Sequence, residues 1–295
     1  MRYDIRLSIG YLYGAPSDHA RTLVRLLPSD LPGRQIVTSR LLTVEPLPAE
    51  RRDTRDFFGN AMSVLAFHAP IDRIEVSLQA RVERLAPPDS LDLSPGLDTL
   101  GAEVAEYRGL DRASPHHFLG PSVRVPADPD IARFAAEVAA PRRTVRQTAL
   151  AMAEAIHAEM RFDPAATDVQ TPPQLAFANR HGVCQDFSHV AIAALRALGI
   201  PAGYVSGFLR TTPPEGQPRL EGADAMHAWV AAWCGTETGW IEVDPTNACI
   251  AATYHIAVAH GRDYSDIAPV KGVLRTSGGQ TSHHSVDVAP IEGAG

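Results

Sequence analysis

Apolar and polar residues alternate with a period of two through Tyr3, Ile5, Leu7 and Ile9, interleaved with Asp4, Arg6 and Ser8. The same period returns at Ile74, Val76, Leu78, Ala80 and Val82, set against Arg73, Glu75, Ser77, Gln79 and Arg81. Successive side chains of a strand point to opposite faces, so each run predicts a strand with one face on a core and the other in water. Residues 35–44 and 62–68 are further strand candidates, with Gly59-Asn60 as a turn. Together they predict an antiparallel, sandwich-like N-terminal domain.

Residues 86–127 are rich in Pro, Gly and Asp and predict a long connection with short helical pieces. A helical period follows. Residues 129–139 and 144–160 read as helices; in the second, Val145, Ala149, Met152 and Ile156 share a face and Thr144 is a suitable N-cap. A shorter helix is expected over 172–179. The next has both ends marked, by Gly182 before Cys184 and by Gly199 and Pro201 after an apolar stripe of Phe187, Val190, Ala191, Ala194, Leu195 and Leu198. Strands are expected at 203–209, 227–233, 240–244, 254–259 and 282–291. The chain is thus expected to be α+β, with a β-rich domain over 1–127 and a second domain over 128–295.

Composition narrows the function. The chain has 295 residues, 45% of them hydrophobic and 21% charged, an ordinary globular balance. A net charge of -7 argues against a nucleic-acid partner, because neutralising phosphates needs a concentrated basic surface and pairs such as Arg51-Arg52 are too short. Three cysteines at wide, unmatched spacing form neither a disulfide framework nor a zinc site. The opening residues lack the apolar core of a signal peptide, and no apolar run approaches the roughly 18 residues of a membrane span. The expectation is a cytoplasmic protein without a membrane partner.

The candidate chemistry is a thiol, an imidazole and a carboxylate in chain order: Cys184, His227 and Asp244. A cysteine at a helix N-terminus meets unpaired N–H donors and the positive end of the helix dipole, which favour thiolate and can also stabilise an oxyanion. The segment 234–239 reads as a loop between antiparallel strands. If Trp233 faces Trp240, Asp244 is a diagonal neighbour of His227; a shift of two puts them opposite; a register of the other parity separates them. Trp229 shares the face of His227, as a wall of the site or as a core tryptophan. Cys234 and Cys249 lie away from helix starts and read as spectators, and His189 lies too far round the helix from Cys184 to serve as its base. The pairs His116-His117 and His283-His284 lack the spacing of a metal site, so no metal and no cofactor is expected.

These segments resemble the bacterial transglutaminase-like proteins: Gly-Val-Cys-Gln-Asp-Phe-Ser-His at 182–189, Leu-Arg-Ala-Leu-Gly-Ile-Pro-Ala at 195–202, Tyr-Val-Ser-Gly-Phe at 204–208, His-Ala-Trp-Val at 227–230, and Gly-Trp-Ile-Glu-Val-Asp-Pro-Thr-Asn at 239–247. Residues 261–269 are similar to another segment of that family, and Tyr3, Tyr11 and Tyr13 ahead of Arg25 resemble its N-terminal domain. The resemblance implies a papain-like α+β core with Cys184 as nucleophile, His227 as general base and acid, and Asp244 as its orienter. It also implies a hydrolase of peptide or amide bonds acting through a thioester on a peptide or protein substrate. Transfer to an amine, as in a protein-glutamine gamma-glutamyltransferase, and an inactive peptide-binding scaffold are the alternatives. Met226 departs from the serine expected before the histidine, a change at the pocket rather than in the triad. The oligomeric state and a second oxyanion donor are not legible; Gln174 and Asn179 lie upstream without assignment.

Overall fold

The computed structural model describes residues 1–87, 91–140, 143–211, 224–275 and 278–291. Its first sheet is built from β1 (Arg2–Val24), β2 (Gln35–Glu45), β3 (Glu50–Arg55), β4 (Ala61–Phe67) and β5 (Ile71–Arg84), all antiparallel. The alternation read from the sequence is the burial pattern found: Tyr3, Ile5, Leu7, Ile9, Ile74, Val76, Leu78, Ala80 and Val82 are all core. β1 runs far beyond Ile9. Its register to β5 shifts between Leu12 and Ser17, and past that irregularity it pairs with β4. Such an irregularity bends a strand, so one long strand serves both halves of the sheet.

The connection carries α1 (Leu97–Glu106) and a short 3-10 turn at Pro115–Phe118, as its composition predicts. Then come α2 (Pro129–Ala139), α3 (Val145–Glu159), β6 (Arg161–Phe162), α4 (Pro173–Asn179), β7 (His181–Gly182) and α5 (Cys184–Ala197). Thr144 caps α3 by accepting from the Gln147 N–H, and the Gln147 side chain reaches back to the Thr144 N–H. From Gln185 to Leu195 every residue of α5 is buried, so its apolar stripe widens to the whole circumference. Phe187, Val190, Ile192 and Leu195 are at most 1% exposed, each contributing about 1.5–3 kcal/mol by burial.

A second antiparallel sheet packs on α5. It contains β8 (Ala202–Leu209), β9 (Ala225–Trp233), β10 (Trp240–Asp244), β11 (Cys249–Ile250) and β12 (His255–Gly261), in the order β11-β10-β9-β8-β12. The expected loop between β9 and β10 holds a helical turn, α6 (Gly235–Thr238), with Gly235 and Gly239 at positive φ. The exposed edge of β12 is closed by two buried amides from the first sheet. Gln35 donates to the Ala257 carbonyl and accepts from its N–H, and Asn60 does the same for His260. Each amide side chain thus completes the ladder that the edge strand lacks.

After α7 (Tyr264–Ile267), the chain returns to where it began. β13 (Val270–Arg275) and β14 (Gln280–Ile291) both pair with β1. Residues 270–291 thus complete the first sheet, because the apolar face of β14, with Val286 and Val288 fully buried, finds its partners there.

Candidate active site

Cys184 is the first residue of α5 and is half-buried. Its position is set by the residues around it. Asp186 accepts from the Val183 N–H at 2.8 Å and from the Thr167 hydroxyl at 2.6 Å, so the carboxylate of the first turn holds the residue ahead of the cysteine. Burial raises the Asp186 carboxyl above its usual range against those two hydrogen bonds. Gly182 is required by the same contact: a Cβ there would lie 2.6 Å from the Asp186 Oδ2 and 2.8 Å from its Cβ.

His227 and Asp244 come together in the diagonal register. Trp233 faces Trp240 and Val230 faces Val243, and the His227 Nε2–H donates to Asp244 Oδ2 at 2.8 Å. Nδ1 is the ring nitrogen that Asp244 leaves free, and Cys184 lies close enough to act on the ring. Burial works against the imidazolium, but the hydrogen bonds to Asp244 and Cys184 and the charges behind them outweigh it and raise His227 to about 10. Burial likewise opposes the Asp244 charge, yet hydrogen bonds from His227 and His255, the imidazolium charge and Asn247 hold it far below the usual carboxylate range. The three residues singled out in the sequence are therefore neighbours, with the imidazole between thiol and carboxylate.

Three further contacts hold Asp244. His255, which opens β12, donates from Nε2 to Oδ2 at 2.9 Å; Asn247 donates from Nδ2 to the same oxygen at 2.7 Å; the Thr246 N–H donates to Oδ1 at 2.8 Å. The turn that carries Thr246 is itself held by α3, through the His157 ring N–H on the Thr246 carbonyl. Asn247 stands in the quoted 239–247 segment, a signal that was available. His255 had none.

Trp229 is fully buried beside the site, its ring stacked on His227 with centroids 6.1 Å apart and meeting His255 edge-on at 5.2 Å. Its indole N–H donates to Glu242 Oε2 at 2.9 Å. Glu242 is buried between Arg34 at 2.7 Å and Arg84 at 3.3 Å; burial opposes its charge, but His260 and the two arginines keep it well below the usual carboxylate range. Above Glu242 is a cavity of about 240 Å3, lined also by Arg34, Phe58, Trp240 and His260 but by none of Cys184, His227 and Asp244.

The other candidates fall away from the thiol. His189 accepts from the Tyr264 N–H, packs on Tyr204, and is lowered by burial to about 4. Burial pushes Cys234 up to about 12, and burial with the Asp244 charge pushes Cys249 up to about 11. Gln174 opens into a cleft shared with Arg133 and Phe177, and Asn179 is exposed at the end of α4. His116 and His117 donate to the carbonyls of Tyr107 and Asp111. The donor atoms of His227, Asp244 and His255 lie within 4.8 Å of one another, the spacing of a metal site. The Ala252 N–H points at His255 Nδ1 at 3.3 Å, however, which places the ring proton on Nε2 and makes that atom a donor to Asp244 rather than a metal ligand.

A thiol at the N-terminus of a buried helix, facing an imidazole and carboxylate on an antiparallel sheet, defines a papain-like architecture. Residues 132–245 match the transglutaminase-like superfamily, and residues 3–83 match the bacterial transglutaminase-like N-terminal region. The chain belongs to this transglutaminase-like family. An uncharacterised protein of Mycobacterium tuberculosis is 33% identical over 269 residues, covering 88% of this chain and 84% of its relative. A protein-glutamine gamma-glutamyltransferase of Pseudomonas aeruginosa is 37% identical over 84 residues, 28% of this chain and 12% of that protein. A crystal structure from Cytophaga hutchinsonii, provisionally described as a cysteine protease, covers all of this chain and 92% of its own with a TM-score of 0.75; at 22% identity it shows the fold alone. No helix among the described residues is long and apolar enough to cross a membrane.

Proposed function

We propose that the protein is a cysteine hydrolase of peptide or amide bonds, with Cys184 as nucleophile, His227 as general base and acid, and Asp244 as the residue that orients His227. The observation that supports this reading is the 2.8 Å hydrogen bond from His227 to Asp244 on the sheet packed against α5, the helix that Cys184 opens. In the first step His227 takes the thiol proton, the Cys184 sulfur bonds to the carbonyl carbon, and the Cys184 backbone N–H helps hold the oxyanion. The tetrahedral intermediate collapses as the C–N bond breaks and His227 gives its proton to the leaving amine. His227 then takes a proton from water, whose oxygen attacks the thioester and releases the sulfur and a carboxylic acid. The substrate is a peptide or protein. A reducing compartment such as the cytoplasm belongs to this reading, because the nucleophile must remain a free thiol.

The similarity to a gamma-glutamyltransferase favours a second outcome from the same thioester, in which an amine replaces water. Incubation with a glutamine-containing peptide and a primary amine, followed by mass spectrometry, separates the two by product mass. Iodoacetamide at pH 6 tests the shared part: Cys184 is expected to be carboxamidomethylated at least tenfold faster than Cys234 and Cys249, and Cys184→Ala is expected to abolish turnover while leaving the fold intact. Equal labelling of all three thiols, or activity in Cys184→Ala, refutes the proposal.

A further inference from the structure

Asp244 is held by two imidazoles, and the mechanism uses one. We infer that His255 is a positioning residue that fixes the Asp244 carboxylate, and through it the His227 ring. The inference rests on the reading of Cys184 and His227 given above.

The topology makes His255 an unexpected partner. It opens β12, which is separated from β10 by β9 and β8 in the sheet order. Its Nε2 nevertheless lies 2.9 Å from Asp244 Oδ2, so side chains from non-adjacent strands meet. The ring is fixed on its other side by a reciprocal pairing with Ala252: the His255 N–H donates to the Ala252 carbonyl at 3.0 Å, and the Ala252 N–H points at His255 Nδ1 at 3.3 Å. Trp229 blocks rotation from a third direction. A backbone donor on Nδ1 leaves the proton on Nε2, so His255 acts as a neutral donor. It anchors the carboxylate without neutralising the charge that His227 needs.

Asp244 ends β10, where the chain turns through Pro245 and the positive-φ residue Ala248. At the end of a strand a carboxylate is free to turn about its own axis unless both oxygens are held. Oδ1 is held by the Thr246 and Asn247 N–H groups of the same turn, and Asn247 also supplies a side-chain donor to Oδ2. These partners move with the turn. His255 ties Oδ2 to a different part of the sheet, and so fixes the direction in which Asp244 presents that oxygen to His227. Its contact is with Asp244 rather than with the thiol, which predicts an effect on the chemical step and little on substrate binding.

The test uses the full chain with two probes: iodoacetamide at pH 6, read by mass spectrometry at Cys184, and p-nitrophenyl acetate, read by p-nitrophenolate release. His255→Phe keeps the ring and removes the donor; both rates are expected to fall about 10- to 100-fold, the loss carried by one hydrogen bond to a charged group, with KM unchanged within about twofold. His255→Gln places an amide N–H near Nε2 and is expected to recover to within about threefold of wild type, whereas the shorter His255→Asn is not. A folded His255→Phe protein with wild-type rates overturns the inference, as does a glutamine variant no better than asparagine. The glutamine–asparagine contrast decides the matter even if the phenylalanine variant does not fold. A wild-type Cys184 alkylated no faster than a cysteine peptide sinks the nucleophile reading and this inference together; a fast wild-type thiol indifferent to residue 255 sinks the inference alone.

Discussion

Arg84→Met would test whether the first sheet holds up the site from beneath. Arg84 ends β5 and Glu242 lies on β10, both with side chains only 3% exposed, and their 3.3 Å contact joins the two sheets behind Trp229. Breaking a fully buried ion pair by removing one partner costs about 3–5 kcal/mol, because the remaining charge is left without compensation. Here Arg34 remains 2.7 Å from Glu242 and Trp229 still donates to it, so the loss should lie at or below the lower end of that range, about 2–3 kcal/mol. Methionine keeps most of the apolar stem of arginine, which limits the cavity contribution. Urea denaturation at pH 7 measures the difference. Its pH dependence is a second check. Glu242 is depressed in the folded protein, so its ionised form stabilises above the unfolded carboxyl value of about 4.3 and that stability is lost as pH falls through the folded value. The gap between wild type and Arg84→Met should therefore be full at pH 7 and narrow in acid. In the Arg84→Met, Glu242→Gln double variant the two losses should not add, because the second change removes the charge that the first left exposed. A gap under about 0.5 kcal/mol at pH 7, or strict additivity, would refute the reasoning.

Other perturbations probe separate links. Gly182→Ala forces a methyl into the Asp186 carboxylate and should destabilise by about 1–3 kcal/mol while slowing Cys184 alkylation, checked by thermal denaturation and labelling rate. Gln35→Leu leaves the Ala257 N–H and carbonyl without their amide partner and should cost about 2–4 kcal/mol in urea denaturation. Asp244→Asn should cost about 3 kcal/mol in a defined window. The depressed Asp244 stabilises above about 3.9, and the raised His227 stabilises fully below about 6.5; the His227 share is lost as pH rises through its folded value of about 10. Urea midpoints at pH 5.5, 8 and 10.5 should show the gap shrinking, and a constant gap would contradict the assignment.

What the sequence disclosed was decided by how much of each element faces a core. Tyr3 to Ile9 and Ile74 to Val82 have one buried face, so alternation marks them, and the helix from Cys184 has Gly on both sides. β3 consists of Glu50–Arg55, six polar residues paired only to β4; an edge strand with no buried face reads as a loop. The alternation of β1 is legible only as far as Ile9 because Gly10, Gly14 and Pro16 are breakers in a regular strand; Gly14 and Pro16 fall at the register shift, whereas Gly10 stays in register. The return of β14 to β1 is a contact between chain ends, for which local pattern carries no signal. At the site, Cys184, His227 and Asp244 were legible from the helix start and the hairpin register. His255 was not, because its contact with Asp244 spans two intervening strands, for which local pattern carries no signal.

Glu242 and Asp244 are two residues apart on β10, and both carboxylates are buried on the face that carries Trp229. They serve different partners. Asp244 gathers imidazoles and the turn that follows it, whereas Glu242 gathers two arginines from the first sheet. Trp229 touches both sets, donating its N–H to Glu242 while its ring stacks on His227. A charge buried as deeply as Glu242 is tolerated only with its counter-ions in place, and those counter-ions lie outside residues 132–245. The N-terminal strands are thus part of the packing that sets the imidazole. An isolated 132–245 segment would bury Glu242 without Arg34 or Arg84 and would lack β12 altogether, leaving the edge of β8 unpaired. The first sheet and the loop before β4 thus supply counter-ions and edge cover to the region that bears the thiol.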